Sequence, residues 1–165
     1  MGFESTNGLG VLSHYGVRTV NPKFGGEIDD DVIKTVQWTF DYSDLPTYGA
    51  DNLQAVIPAN ARILSAKMEI ITAFTSTSTT TDLDVGLYTS AGVAIDANGL
   101  ITAAQATQTT IAVVGAIIDG ASGTPGALIN NTIGATAGEL VVTPTVADLL
   151  TGKARIIVQY IKAGL

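Results

Sequence analysis

At 165 residues the chain is long enough for one domain with a buried core and short for two. Apolar residues make up 46% and charged ones only 14%, which excludes global disorder and suits a surface covered by hydroxyls or neighbouring chains. The net charge of −7, with no Lys or Arg between Lys67 and Lys153, excludes direct nucleic-acid binding, which needs clustered basic residues.

There is no cysteine, hence no disulfide, thiolate metal site or thiol nucleophile. The start, MGFESTNGLG, has neither the positive nor the apolar region of a signal peptide. The longest apolar run, residues 111–118, is far too short to span a bilayer as a helix. The expectation is a soluble product, with no membrane partner, that stays in the cytoplasm until it is used.

Residues 1–30 are rich in Gly and Asn, and their aromatics, Phe3, Tyr15 and Phe24, are spaced without a period. They read as an extended arm, with one short strand around residues 15–20. Tyr15, Val17, Val20 and Phe24 are costly to leave in water, so the arm is expected to dock on something. Regular pattern starts at Val32, and residues 31–165 read as one domain. In VIKTVQWTF, Val36, Trp38 and Phe40 alternate with Thr35, Gln37 and Thr39, the signature of a half-buried strand. YSDLPTYGADN breaks it as a loop, and VIPAN supplies a Pro turn.

Residues 62–74 predict the longest strand, with Leu64, Ala66, Met68, Ile70 and Phe74 inward and Ser65, Lys67 and Glu69 outward. After the hydroxyl-rich TSTSTTT comes DLDVGLY, another alternating strand, closed by TSAG. Residues 96–108, DANGLITAAQATQ, predict a short helix capped by Asp96 or Asn98, with Leu100, Ile101 and Ala104 as its inner stripe. IAVVGAII predicts a near-continuous apolar strand. TVADLLTG predicts one helical turn, capped by Thr145 and stopped at Gly152. KARIIVQYI closes the chain as a strand. Seven or more strands, one or two short helices and frequent turns give an all-β, antiparallel β-sandwich, jelly-roll-like, with an extended N-terminal arm.

The pair most suggestive of chemistry is Asp82 and Asp84. On a strand that buries Leu83, Val85 and Leu87, both carboxylates share the outward face, with Cα atoms about 7 Å apart. A calcium ion needs six or more oxygen ligands, and a glycosidase pair needs a pocket and carboxylates from different elements. Both aspartates are therefore expected to be solvated surface charge. Asp29, Asp30 and Asp31 read as a charged turn. His14, the only histidine, is next to Ser13 on an extended segment, where neighbouring side chains point apart. No dinucleotide fingerprint, P-loop, nucleophile elbow or zincin motif occurs. Tyr42, Tyr48 and Tyr88 are the candidate exposed rings for sugar binding; rim packing is their expected role.

The order of segments carries one resemblance. SHYGVRT is followed by KTVQWTFDYSDLP, VIPANARILSAKMEIITAF, LDVGLYTSAG, IDANGLITAAQA and GKARIIVQYI. From about Tyr15 onward this resembles small virion proteins of tailed bacteriophages, in particular head decoration (cement) proteins with a jelly-roll domain. The resemblance implies a non-enzymatic protein without cofactors, made in the host cytoplasm and located on the capsid surface of the virion. It implies the major capsid protein and copies of itself, as a trimer, for partners. Tyr15, Arg18, Lys23 and Phe24 of the arm are the candidate interface residues. A tail or fibre component recognising host surface glycans is the alternative, and a cell-wall glycosidase using Asp82 is a third reading without a supporting constellation.

Overall fold

The computed structural model describes residues 33–45 and 56–162. Eight strands run through them: β1 (Lys34–Asp41), β2 (Val56–Ile57), β3 (Ala61–Ser76), β4 (Leu83–Tyr88), β5 (Ala94–Ile101), β6 (Ile117–Asp119), β7 (Gly138–Pro144) and β8 (Leu149–Lys162). A 3-10 turn (Tyr42–Asp44) and a one-turn helix, α1 (Gln108–Ile111), are the helical segments among the described residues.

The strands pair β1 with β8, β2 with β7, β3 with β6 and β4 with β5, always antiparallel. That is the pairing of one long hairpin. Two more antiparallel ladders, β3–β8 and β4–β7, wind the hairpin into sheets of order β1-β8-β3-β6 and β2-β7-β4-β5. Eight strands so wound make a jelly roll, and the expected all-β fold class holds. The expected arm, residues 1–30, and its boundary with the domain lie outside the described residues.

The core fills the space between the sheets. Phe40, Ile63, Ala66, Met68, Ile70, Phe74, Ala154, Ile156 and Val158 point inward from the first sheet and are fully buried; Leu83, Val85, Leu87, Leu140 and Val142 meet them from the second. A ring stack runs along one end, Trp38 to Phe40 at 5.0 Å and Phe40 to Phe74 at 5.9 Å between centroids. Alternation in β1 and β4 predicts these inward faces correctly.

Four local expectations are overturned. Residues 96–101 are strand, not helix: Asp96 accepts from the Asn98 N–H in a local turn, and β5 pairs with β4 through two register shifts. The run IAVVGAII is not one strand. Ile111 ends α1, Val113 and Val114 are exposed, and Gly115 turns the chain with φ +81° before β6. TVADLLTG makes no helical turn; Thr145 bonds across to Asp82, and β8 begins at Leu149. In β3 the inward residue is Ile63 rather than Leu64, because a register shift between Ile63 and Ser65 makes Leu64 the extra residue of a bulge.

Candidate assembly surfaces

Asp82 and Asp84 flank the start of β4, whose alternation turns both away from the core. They are not free surface charge. Asp82 Oδ1 accepts from the Gln108 N–H at 2.7 Å, and Asp84 Oδ1 accepts from the Ala103 N–H at 2.7 Å. Thr107, the residue before α1, gives no side-chain cap, so Asp82, just ahead of β4, satisfies the first helical N–H. Burial holds the Asp84 carboxyl above its ordinary range; the Ala103 hydrogen bond opposes that, and the nearby Asp82 charge adds to it. The pair is a brace for the β5–β6 connection.

Gln105 completes the brace. Its Nε2 donates to the carbonyls of Asp119, Gly120 and Ser122, and its Oε1 accepts from the Thr102 N–H at 2.8 Å. It lines an open cleft of about 450 Å³ with Thr110, Ile118, Asp119 and Thr124. The one ionisable wall residue, Asp119, pairs with Lys67 at 3.5 Å. The cleft thus offers neither a nucleophile with a base nor two carboxylates across a gap. Among the described residues no group of three His, Asp or Glu side chains could hold a metal ion.

Five of the seven hydroxyls of TSTSTTT, those of Thr75, Ser76, Ser78, Thr80 and Thr81, are similarly engaged. Ser76 Oγ lies 2.9 Å from Thr81 Oγ1 and donates to the Asp148 carbonyl, and Ser78 Oγ lies 3.1 Å from Thr80 Oγ1. Thr81 is fully buried.

Charge is divided between the two sheets. All six described cations, Lys34, Arg62, Lys67, Lys153, Arg155 and Lys162, lie on β1, β3 and β8 of the first sheet. Its outer face carries cross-strand pairs: Arg155 with Glu69, Lys67 with Asp119, and Ser65 with Gln159 at 3.0 Å. The second sheet and the loops at its ends hold Asp82, Asp84, Asp96, Glu139 and Asp148 without a cation.

Exposed apolar residues gather along the β6 edge of the first sheet. Gly115 donates to the Ile70 carbonyl at 2.8 Å and Ile70 to the Ala116 carbonyl at 2.9 Å, which lays residues 115–117 beside the middle of β3. Val113, Val114 and Ile117 are 55%, 64% and 68% exposed, and Ile71 is 40%. Their run in the sequence reads as buried strand; the Gly at 115 is the signal that it turns to the surface. The expected interface residues Tyr15, Arg18, Lys23 and Phe24, with His14, Asp29, Asp30, Asp31 and Tyr48, lie outside the described residues. Tyr42 is exposed; Tyr88 is half-buried on the outer side of β4, opposite Glu139.

The sequence matches no protein-family model and no curated protein. Its fold is similar to solved structures. One is a chain of the cyanophage Pam1 capsid asymmetric unit, with a TM-score of 0.50 and 20% identity over 89% of this chain and 96% of that one. Another is a chain of the capsid of Ralstonia phage GP4, with a TM-score of 0.51 and 17% identity over 83% of this chain and 87% of that one. At these identities the likeness is one of fold.

Proposed function

We propose that this chain is a structural, non-enzymatic component of a tailed-bacteriophage virion that decorates and stabilises the outer surface of the head. In this reading it binds the major capsid protein and assembles with copies of itself as a trimer, the arm supplying Tyr15, Arg18, Lys23 and Phe24 to the contact. The observation that carries the reading is the near end-to-end match with the chain from the cyanophage Pam1 capsid. Since 89% of this chain covers 96% of that one, the two are small jelly rolls of similar length. Three features of the surface agree with it. Both aspartates of the suggestive pair are consumed in bracing a loop. The one described cleft that Gln105 lines has no acid–base constellation. Apolar side chains stand exposed along the β6 edge, as on a surface that meets protein. No specific observation favours glycan recognition: Thr75, Ser76, Ser78, Thr80 and Thr81, five of the seven hydroxyls of TSTSTTT, are already hydrogen-bonded within the protein.

Undecorated phage heads mixed with the purified protein test the proposal. The expected result is cosedimentation with the heads and a native mass three times that of the chain. Deleting residues 1–25 is expected to abolish head binding or oligomerisation while the sandwich still unfolds cooperatively. A protein that leaves heads bare overturns the reading, and cell-wall hydrolysis in a zymogram replaces it with an enzyme.

A further inference from the structure

We propose that β1 is an open edge through which two copies of this chain join, antiparallel, into one continuous sheet about a two-fold axis at Gln37. Sheet edges template unwanted pairing, and folds blunt them with short strands, bulges, Pro or charge. Three of the four edges here are blunted. Among the described residues β6 has three residues and β2 has two, and β5 is interrupted by register shifts. β1 differs. Its eight residues pair with β8 in unbroken register from Lys34↔Tyr160 to Asp41↔Lys153, with no Pro, and no described strand lies on its other side.

Among the described residues the core is also least covered at this edge. Along one inward row Ala66 and Val158 are fully buried while Val36 is only half-buried; along the next, Met68 and Ile156 are fully buried and Trp38 is half-buried. One more strand would cover both side chains.

The sequence of β1 suits a second β1. Antiparallel pairing centred on Gln37 sets Val36 of one copy opposite Trp38 of the other, small against large, inside the apolar row. Thr35 then faces the second copy's Thr39 on the outer side, a hydroxyl pair. The strand's charges stand at its two ends and on opposite faces, Lys34 in the row of Val36 and Trp38 and Asp41 in the row of Thr35 and Thr39, so this direction keeps like charges apart. Parallel pairing would place like charges together. An edge contact alone is small, so it forms where copies are concentrated, as in an assembly on a head. The inference deepens the proposed assembly role and rests on it for that concentration only.

The absence of native cysteine makes the test clean. Single variants Thr35→Cys, Gln37→Cys and Thr39→Cys are made in the full chain, and each is treated at high concentration with a mild oxidant or a short bis-maleimide. Gln37→Cys is expected to shift from monomer to a band of twice the chain mass. On a denaturing gel Thr35→Cys and Thr39→Cys alone should give only the single-chain band, but an equal mixture of the two should cross-link. Gln37→Lys in both members of that mixture opposes two ammonium groups at the axis and should abolish the band with unfolding temperature unchanged. No cross-link from Gln37→Cys, or equal cross-linking of all three, overturns the inference. So does a cross-link that appears only after residues 1–32 are deleted, which would mean that the arm fills the edge. Head binding by the Gln37→Lys variant, read separately, reports on the decoration role whatever the cross-linking result.

Discussion

Asp82 Oδ1 accepts a hydrogen bond from the backbone N–H of Gln108, 26 residues further along the chain, at 2.7 Å. The contact joins the entry of β4 to the first residue of α1 and supplies the cap that Thr107 does not give. Replacing a capping acid by alanine costs about 0.5–2 kcal/mol. Asp82→Ala is therefore expected to lower stability by about 1 kcal/mol, and Asp82→Asn, which keeps the acceptor oxygen, by much less. Chemical denaturation of the two variants measures the difference. Equal losses would mean that the charge, not the hydrogen bond, is what matters.

Asp84 makes the corresponding bond to Ala103 but is held above its ordinary pKa, chiefly by burial. The folded state thus binds the Asp84 proton more tightly than the unfolded chain does. The Asp84 contribution to stability accordingly rises as pH falls through the folded-state pKa towards 3.8, and is lost as pH rises through that window. Asp84→Asn keeps an acceptor for Ala103 and removes the titration. At pH 7 the variant should match or slightly exceed the parent in unfolding temperature, and its advantage should shrink on acidification to pH 4. An advantage that grows on acidification would contradict the burial argument.

Most of the fold is legible in the sequence because period-two alternation is a local property. Val36, Trp38 and Phe40, like Leu83, Val85 and Leu87, reveal their inward faces without knowledge of the partner strand. The misreadings fall where a distant contact overrides a local rule. Asp96 followed by Leu100, Ile101 and Ala104 satisfies the local criteria for a capped amphipathic helix, yet Gly99 packs under the Leu128 side chain and the segment is held in strand beside β4. Thr145 resembles a helix cap, but its hydroxyl both accepts from and donates to the backbone of Asp82. The bulge at Leu64 leaves no sequence mark, since one inserted apolar residue in an apolar strand does not break the pattern. The role of the aspartate pair was half legible. Alternation places them outward, but the N–H groups that they hold belong to residues 103 and 108, which only the fold brings near.

Gly86 is a second site that depends on such a contact. It lies on the outer side of β4, opposite Val141, and the β5 backbone at Asp96 and Ala97 crosses directly over it. A methyl group there would overlap main-chain atoms, which cannot rotate aside as a flexible side chain can. Gly86→Ala is expected to cost about 1–3 kcal/mol by forcing β5 away from β4. Hydrogen exchange should show the loss first in the amides of residues 94–101. Native-like protection of that strand in a folded Gly86→Ala protein would refute the crossing.

Gly152 and Phe74 make the sharpest case. Gly152 interrupts β8 with φ +136°, a conformation that side chains rarely adopt, and its missing Cβ leaves the space that the Phe74 ring occupies. Phe74 is fully buried and stacks on Phe40, so Phe74→Ala should cost about 3–5 kcal/mol. Gly152→Ala suffers both backbone strain and overlap with the ring, and each is worth about 1–3 kcal/mol. Removing the ring abolishes the overlap but leaves the strain. The double variant Phe74→Ala/Gly152→Ala should therefore be less destabilised than the sum of the single changes, by an interaction energy of about 0.5–3 kcal/mol. Urea unfolding of the three variants closes the cycle. Strict additivity would mean that backbone strain alone accounts for the glycine and that the ring does not depend on it.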